Sequence, residues 1–69
     1  MELSELKKNL RYLVEKYISD DELSSELHKL IDEPGRPPVK KIMAEVSLSE
    51  RPGDPSDEVL FKEISFNYL

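Results

Sequence analysis

Val39-Lys40-Lys41-Ile42-Met43-Ala44-Glu45-Val46-Ser47-Leu48-Ser49 is the stretch whose reading decides the fold. Ile42, Ala44, Val46 and Leu48 alternate with Lys41, Met43, Glu45 and Ser47. A period of two turns one face inward and predicts a half-buried β-strand over about 39 to 49. A second run over about 58 to 68 repeats the pattern, with Leu60, Ile64, Phe66 and Tyr68 on one face and Val59, Phe61, Glu63, Ser65 and Asn67 on the other. Lys62 interrupts the inward set, which suits an edge strand with the lysine stem buried and its ammonium in water. The residues between the runs, Glu50-Arg51-Pro52-Gly53-Asp54-Pro55-Ser56-Asp57, form a turn-rich loop, long for a hairpin.

Upstream the period lengthens. Leu3, Leu6, Leu10, Leu13 and Tyr17 recur at spacings of three and four, widened by Val14 and Ile18, and predict an amphipathic helix over about 3 to 17. Ser19 followed by Glu22 reads as a capping box flanked by the apolar pair Ile18 and Leu23. A second helix therefore runs over about 20 to 32, with Leu23, Leu27, Leu30 and Ile31 as its apolar face. Asp20 and Asp21 complement the partial positive charge at its start. It must stop before Pro34-Gly35, and residues 33 to 38 read as a stiff, proline-rich connector.

The expected fold is thus one α+β domain over 1–69, two antiparallel helices packed on a two-stranded antiparallel β-hairpin in the order α-α-β-β. Both strands would be edges, and dimerisation would extend them into a larger sheet. Val39, Met43, Val59 and Phe61 would share the outward face of the ribbon as an apolar group that a lone domain leaves uncovered. These four residues are the first candidate protein interface.

Composition narrows the function classes. The chain has 69 residues, 15 acidic and 10 basic side chains, one histidine and no cysteine. A fold this small buries only roughly 60% of its unfolded surface, so a second chain is a natural source of further burial. Without cysteine, thiol catalysis, disulfide staples and Cys-ligated zinc are excluded. The charged start lacks the form of a secretory signal, and no segment approaches the roughly 20 apolar residues of a membrane span. The expected setting is cytoplasmic, with no membrane partner.

Chemistry-bearing residues are sparse. His28 shares a helix face with Ser24 and Asp32, but a mid-helix serine has its neighbouring amides tied up and lacks an oxyanion hole. Pairing of His28 with Asp32 is the plainer reading. The carboxylates are spread along the chain, and Asp54, Asp57 and Glu58 do not match a calcium loop. Gly35 and Gly53 belong to no phosphate-cradling motif. No catalytic residue, metal or cofactor follows from the pattern, so the expectation is a protein that is not an enzyme.

Two helices before a hairpin invite comparison with winged DNA-binding domains. The second helix carries Asp20, Asp21, Glu22, Glu26, Asp32 and Glu33 against His28 and Lys29, a charge that phosphates repel. Nucleic acid is therefore not an expected partner. The acidity is concentrated early: residues 1–33 hold five basic and nine acidic side chains, net −4, and residues 34–69 hold five and six, net −1. The clusters Lys7, Lys8, Arg11 and Arg36, Lys40, Lys41 read as ordinary solvated surface. The leading expectation is a small acidic protein-interaction module that forms a homodimer. The alternative is a monomeric, immunity-type inhibitor or regulator that docks Asp21, Glu22 and Glu26 on a basic partner protein.

Overall fold

Helix α1 occupies Leu3–Tyr17, and its three-and-four spacing does what such a stripe must: Leu6, Leu10, Leu13, Val14 and Tyr17 are buried along one side. Ile18 leaves the helix in extended geometry, and α2 follows at Asp21–Asp32. The cap of α2 is Asp20, whose side chain accepts from the Glu22 and Leu23 amides at 2.9 and 3.2 Å. It takes the place foreseen for Ser19, since a carboxylate one residue later satisfies the same first-turn donors and adds a charge that favours the helix N-terminus. Leu27 and Ile31 are fully buried against α1.

The computed structural model describes residues 1–49 and 53–68, and no strand occurs among them. The α+β hairpin is overturned. Where strands over 39 to 49 and 58 to 68 were expected, the chain forms helix α3, Val39–Ser47, then a 3-10 turn, Pro55–Asp57, leading directly into helix α4, Glu58–Tyr68. The described residues make a small all-helical bundle.

The physical reason lies in a sequence that supports two periods. Val39, Ile42, Met43 and Val46 stand at i, i+3, i+4 and i+7, and all four are buried on the inner face of α3. Alternation would instead have turned Ala44 and Leu48 inward, yet both are exposed, Leu48 by 78%. Lys40, Lys41, Met43, Ala44 and Glu45 are strong helix formers, and a helix satisfies its own backbone. Two strands with two open edges do not. In α4 the inward residues are Ile64, fully buried, and Leu60, Phe61 and Tyr68, partly buried against the core. Lys62, the residue that broke the strand pattern, lies exposed on the helix's outer side. With the strands go the open edges and the dimer-extended sheet.

Two exits are fixed by backbone chemistry. Gly35 sits at φ +88°, a left-handed conformation that side chains resist, and lets residues 33–38 turn from α2 to α3. Lys7 donates to the Glu33 carbonyl at 2.8 Å, and Arg11 meets Asp32 at 2.8 Å, so α1 cations neutralise the C-terminal end of α2. The Cα positions span 28 × 26 × 16 Å, a slab in which each helix has one wet side.

Leu10, fully buried on α1, sets the first prediction. Leu10→Ala lowers the free energy of unfolding by about 2–5 kcal/mol, against a total of roughly 3–10 kcal/mol for a chain of this length. Leu48→Ala, at a wet position, stays within about 0.5 kcal/mol. Urea titration followed by far-ultraviolet circular dichroism reads both, and a costly Leu48→Ala would contradict the helical register of α3.

Candidate functional site

The densest cluster of ionisable and hydroxyl groups joins α1 to the 3-10 turn. Tyr12 and Lys16 are one helical turn apart on α1, with Tyr17 beside them, and Asp54 and Asp57 bracket Pro55 and Ser56. Asp54 caps the turn: its carboxylate accepts from the Ser56 amide at 2.9 Å and the Ser56 hydroxyl at 2.8 Å. The capped turn delivers Asp57 into the gap between the two tyrosines.

Asp57 is only 4% exposed, so its charge must be matched. The Tyr17 hydroxyl donates to Oδ2 at 2.5 Å, the Tyr12 hydroxyl donates to Oδ1 at 2.8 Å, and Lys16 Nζ lies 2.8 Å from Oδ2. Lys16 also donates to Asp54 Oδ2 at 2.8 Å and to the Tyr12 oxygen at 3.1 Å, engaging all three ammonium donors. The Asp54 amide closes the circuit by donating to the Tyr17 oxygen at 3.0 Å. Among the described residues no buried polar side-chain atom lacks a partner.

The Asp54, Asp57, Lys16 and Tyr17 titrations all move away from neutrality. The Lys16 ammonium and the Ser56 amide and hydroxyl hold the Asp54 carboxyl down at about 2. Lys16 and then Tyr17 hold Asp57 below its ordinary value. Asp54 and Asp57 push Lys16 up, and Asp57 with burial pushes the Tyr17 phenol up. A general acid or base works best when poised near the operating pH, and these groups are locked into fixed protonation states instead. The arrangement is a charge-and-hydroxyl clamp that holds the entry of α4 against α1. A shallow groove beside it is lined by Gly53, Asp54, Pro55, Glu58 and Phe61.

The residues singled out from sequence fall elsewhere and do not form one patch. Val39 and Met43 lie in the core of α3, at 3% and 6% exposure. Phe61 is half-buried, its ring 5.9 Å from that of Tyr17, and Val59 is exposed. Met43 and Phe61 line the same shallow groove between α3 and α4, together with Lys40, Ala44, Ser47 and Ser65. Asp21, Glu22 and Glu26 are all exposed on α2, with Lys41 3.9 Å from Glu26. Asp32 engages Arg11 rather than His28. Among the described residues no three His, Cys, Asp or Glu side chains form a group able to hold a metal ion, and no helix is long and apolar enough to cross a membrane. Of the turn-rich loop, residues 50–52 lie outside the described residues.

Sequence reasoning missed the clamp. Tyr17 was counted as apolar, although a tyrosine on a buried stripe brings a hydroxyl that needs a partner. The available signals were Tyr12 and Lys16 at i, i+4 and the Asp54-Pro55 pair, a helix cap followed by proline.

Fold and site together define a small helical protein braced by one polar clamp and offering exposed helix faces. No family model, curated protein or solved structure matches the chain.

The clamp predicts an acid limb in stability. Asp54 and Asp57 are lowered from the ordinary 3.8, so the unfolded chain binds more protons than the folded one as pH falls. Their contribution is complete above 3.8 and is lost toward about 2, through the folded value of Asp54. Lys16 and Tyr17 are raised, so theirs is complete below the ordinary 10.5 and 10.0 and is lost only at higher pH. Thermal midpoints should show a plateau between these limits. Asp57→Asn should lower the plateau and flatten the acid limb; an unaltered acid limb in that variant would show that the clamp does not govern it.

Proposed function

We propose that this chain is a small acidic protein-interaction module, without catalytic chemistry of its own, that associates with a second copy of itself. The observation that carries the reading is an apolar face left in water on α4, where Val59 is 66% and Phe66 90% exposed. They are seven residues apart, about two turns, and so lie on one side of the helix. Scattered exposed apolar residues are ordinary. A valine and a phenylalanine aligned on one face are a group whose burial against another chain contributes roughly 1.5–3 kcal/mol per fully covered side chain.

The clamp supports the reading from the other side. Tyr17, Phe61 and buried Ile64 commit one face of α4 to this chain's own core, and Val59 and Phe66 occupy the opposite face. Two exposed apolar side chains per copy are small beside the roughly 1,200 Å² of a standard stable interface, so the association is weak and concentration-dependent. The module belongs in the cytoplasm, where a core that uses no disulfide needs no oxidising surroundings.

A second reading is favoured by the exposure of Asp21, Glu22 and Glu26 along α2. In it the protein is a monomeric inhibitor or regulator, and these carboxylates steer it onto a basic partner protein. Because Asp20 supplies the cap, charge reversal at Glu26 leaves the start of α2 intact.

Light scattering across a concentration series separates the two. Self-association raises the mass from 8.0 kDa toward twice that value. Phe66→Ser should hold the mass at the monomer value with its helix content unchanged. A wild-type chain that stays at 8.0 kDa at every concentration would remove the first reading and leave salt-dependent binding to a basic protein as the one to pursue.

A further inference from the structure

The outer seam between α2 and α3 is acidic and ends beside an exposed leucine. Glu26 of α2 stands 3.9 Å from Lys41 of α3. Farther along, Asp20 and Leu23 share a hollow of about 180 Å³ with Ile18, Glu45 and Leu48. Lys41, Glu45 and Leu48 fall at i, i+4 and i+7, one face of α3 continued through its cap. Ile18 is buried and Leu23 packs against the core, whereas Leu48 is 78% exposed. The charged side chains that line the hollow, Asp20 and Glu45, have one sign.

What that sign lacks is a cation. Asp20 is committed to the cap of α2, but Glu45 makes no ion pair among the described residues. It stands in the last turn of α3, where the helix's own partial negative charge disfavours a carboxylate, and that turn holds no basic residue. The other helices are served differently. Lys16 lies in the last turn of α1, Lys7 and Arg11 reach the end of α2, and Arg36 donates to the Tyr68 carbonyl of α4. The carbonyl end of α3 has no such cation among the described residues, and it opens onto the hollow. We infer that the hollow receives a large apolar side chain from a basic amphipathic segment of a partner protein, whose flanking lysines or arginines meet Glu45, Asp20 and the end of α3. The inference rests on the second reading above, in which α2 faces a basic partner, and adds the point at which that partner is anchored.

Size and charge together select this occupant. The hollow is smaller than the roughly 300 Å³ at which small-molecule sites begin, and it suits one anchoring side chain. Carboxylates at its rim repel phosphates, so nucleic acid and anionic lipid are disfavoured. Cations flanking the anchor gain from Glu45 and from the helix end at once, and they steer the encounter. The other exposed apolar positions lack this single-signed setting. Val59 and Phe66 stand beside both signs on α4, and the groove between α3 and α4 has one charge, Lys40, on its lining.

The probe is a fluorescent amphipathic helical peptide of leucine and lysine, titrated with the full chain and read by anisotropy at low and high salt. The chain should bind it, less tightly as salt rises, and should bind a serine and lysine version of equal charge roughly tenfold less tightly. Leu48→Ala should lose roughly tenfold in affinity for the leucine peptide. Glu45→Gln should weaken binding several-fold while holding or raising the thermal midpoint, so that lost binding is not lost folding. Glu63→Gln makes the same charge change on α4 and should leave binding unaltered. Equal loss in Glu45→Gln and Glu63→Gln would mean attraction to net charge and overturn the hollow. So would loss in Phe66→Ser with none in Leu48→Ala. Binding that falls with salt and with Glu26→Lys, yet ignores Leu48 and Glu45, would overturn the hollow while leaving the acidic face of α2 standing. A drop in the thermal midpoint of Glu45→Gln would overturn the electrostatic argument. Self-association abolished by Leu48→Ala in the absence of peptide would assign the hollow to a second copy and overturn the foreign partner. No binding of the leucine peptide at low salt would overturn both this site and the reading beneath it.

Discussion

A single buried carboxylate organises the second half of this molecule. Asp57 can sit among the tyrosines of α1 only because two hydroxyls and an ammonium meet its oxygens, and those partners come from one helical turn and the residue after it. Removing a partner would leave a charge away from water, which costs far more than the intact arrangement contributes. Geometry follows from that asymmetry. The 3-10 turn must end where Asp57 reaches the tyrosines, α4 must begin there, and Phe61 is then placed on the Tyr17 ring one turn later.

The first half of the fold was legible because one physical effect dominates it. Leucines spaced by three and four on α1 have no other good arrangement, and α1 occupies the range their spacing marks. The second half was misread because two periods coexist in it. Ile42, Ala44, Val46 and Leu48 satisfy a strand, while Val39, Ile42, Met43 and Val46 satisfy a helix, and only the packing against α1 decides between them. Helix propensity favoured the latter, and so did Lys62, an interruption in a strand but an ordinary outer residue in a helix. The clamp was illegible for a different reason. Its five side chains come from residues 12 to 17 and 54 to 57, and no local pattern ties segments so far apart in sequence. The interface expected at Val39, Met43, Val59 and Phe61 inherited the strand alternation, and the helices redistribute those residues between core and surface.

Charge does different work at each end of the bundle. On α1 the cations Lys7, Arg11 and Lys16 are spent inward, on the end of α2 and on the clamp, which leaves the outer carboxylates of α2 to dominate that side's field. On α4 the exposed charges Glu58, Lys62 and Glu63 stand beside the exposed apolar residues Val59 and Phe66. A surface with one sign favours a partner of the other sign, and an exposed apolar face favours burial against another chain. The two functional readings correspond to these two faces, and they do not compete for the same residues.

The bundle is also divided by what holds it. Of the thirteen residues of the apolar core among the described residues, twelve lie between Leu6 and Val46, and α4 contributes Ile64 alone. Leu60, Phe61 and Tyr68 of α4 pack against that core only partly buried, and polar contacts add to them: the clamp at the entry of α4, the Tyr68 hydroxyl donating to the Met1 carbonyl at 2.6 Å, and Arg36 donating to the Tyr68 carbonyl at 2.7 Å. Apolar burial and charge pairing respond to different conditions, so the two parts need not open together. Acid below 3.8 protonates the clamp carboxylates at the entry of α4 and leaves the apolar packing of the first three helices without a titrating partner. The last helix is thus fastened at its entry by charge, where the first three are held together chiefly by apolar packing.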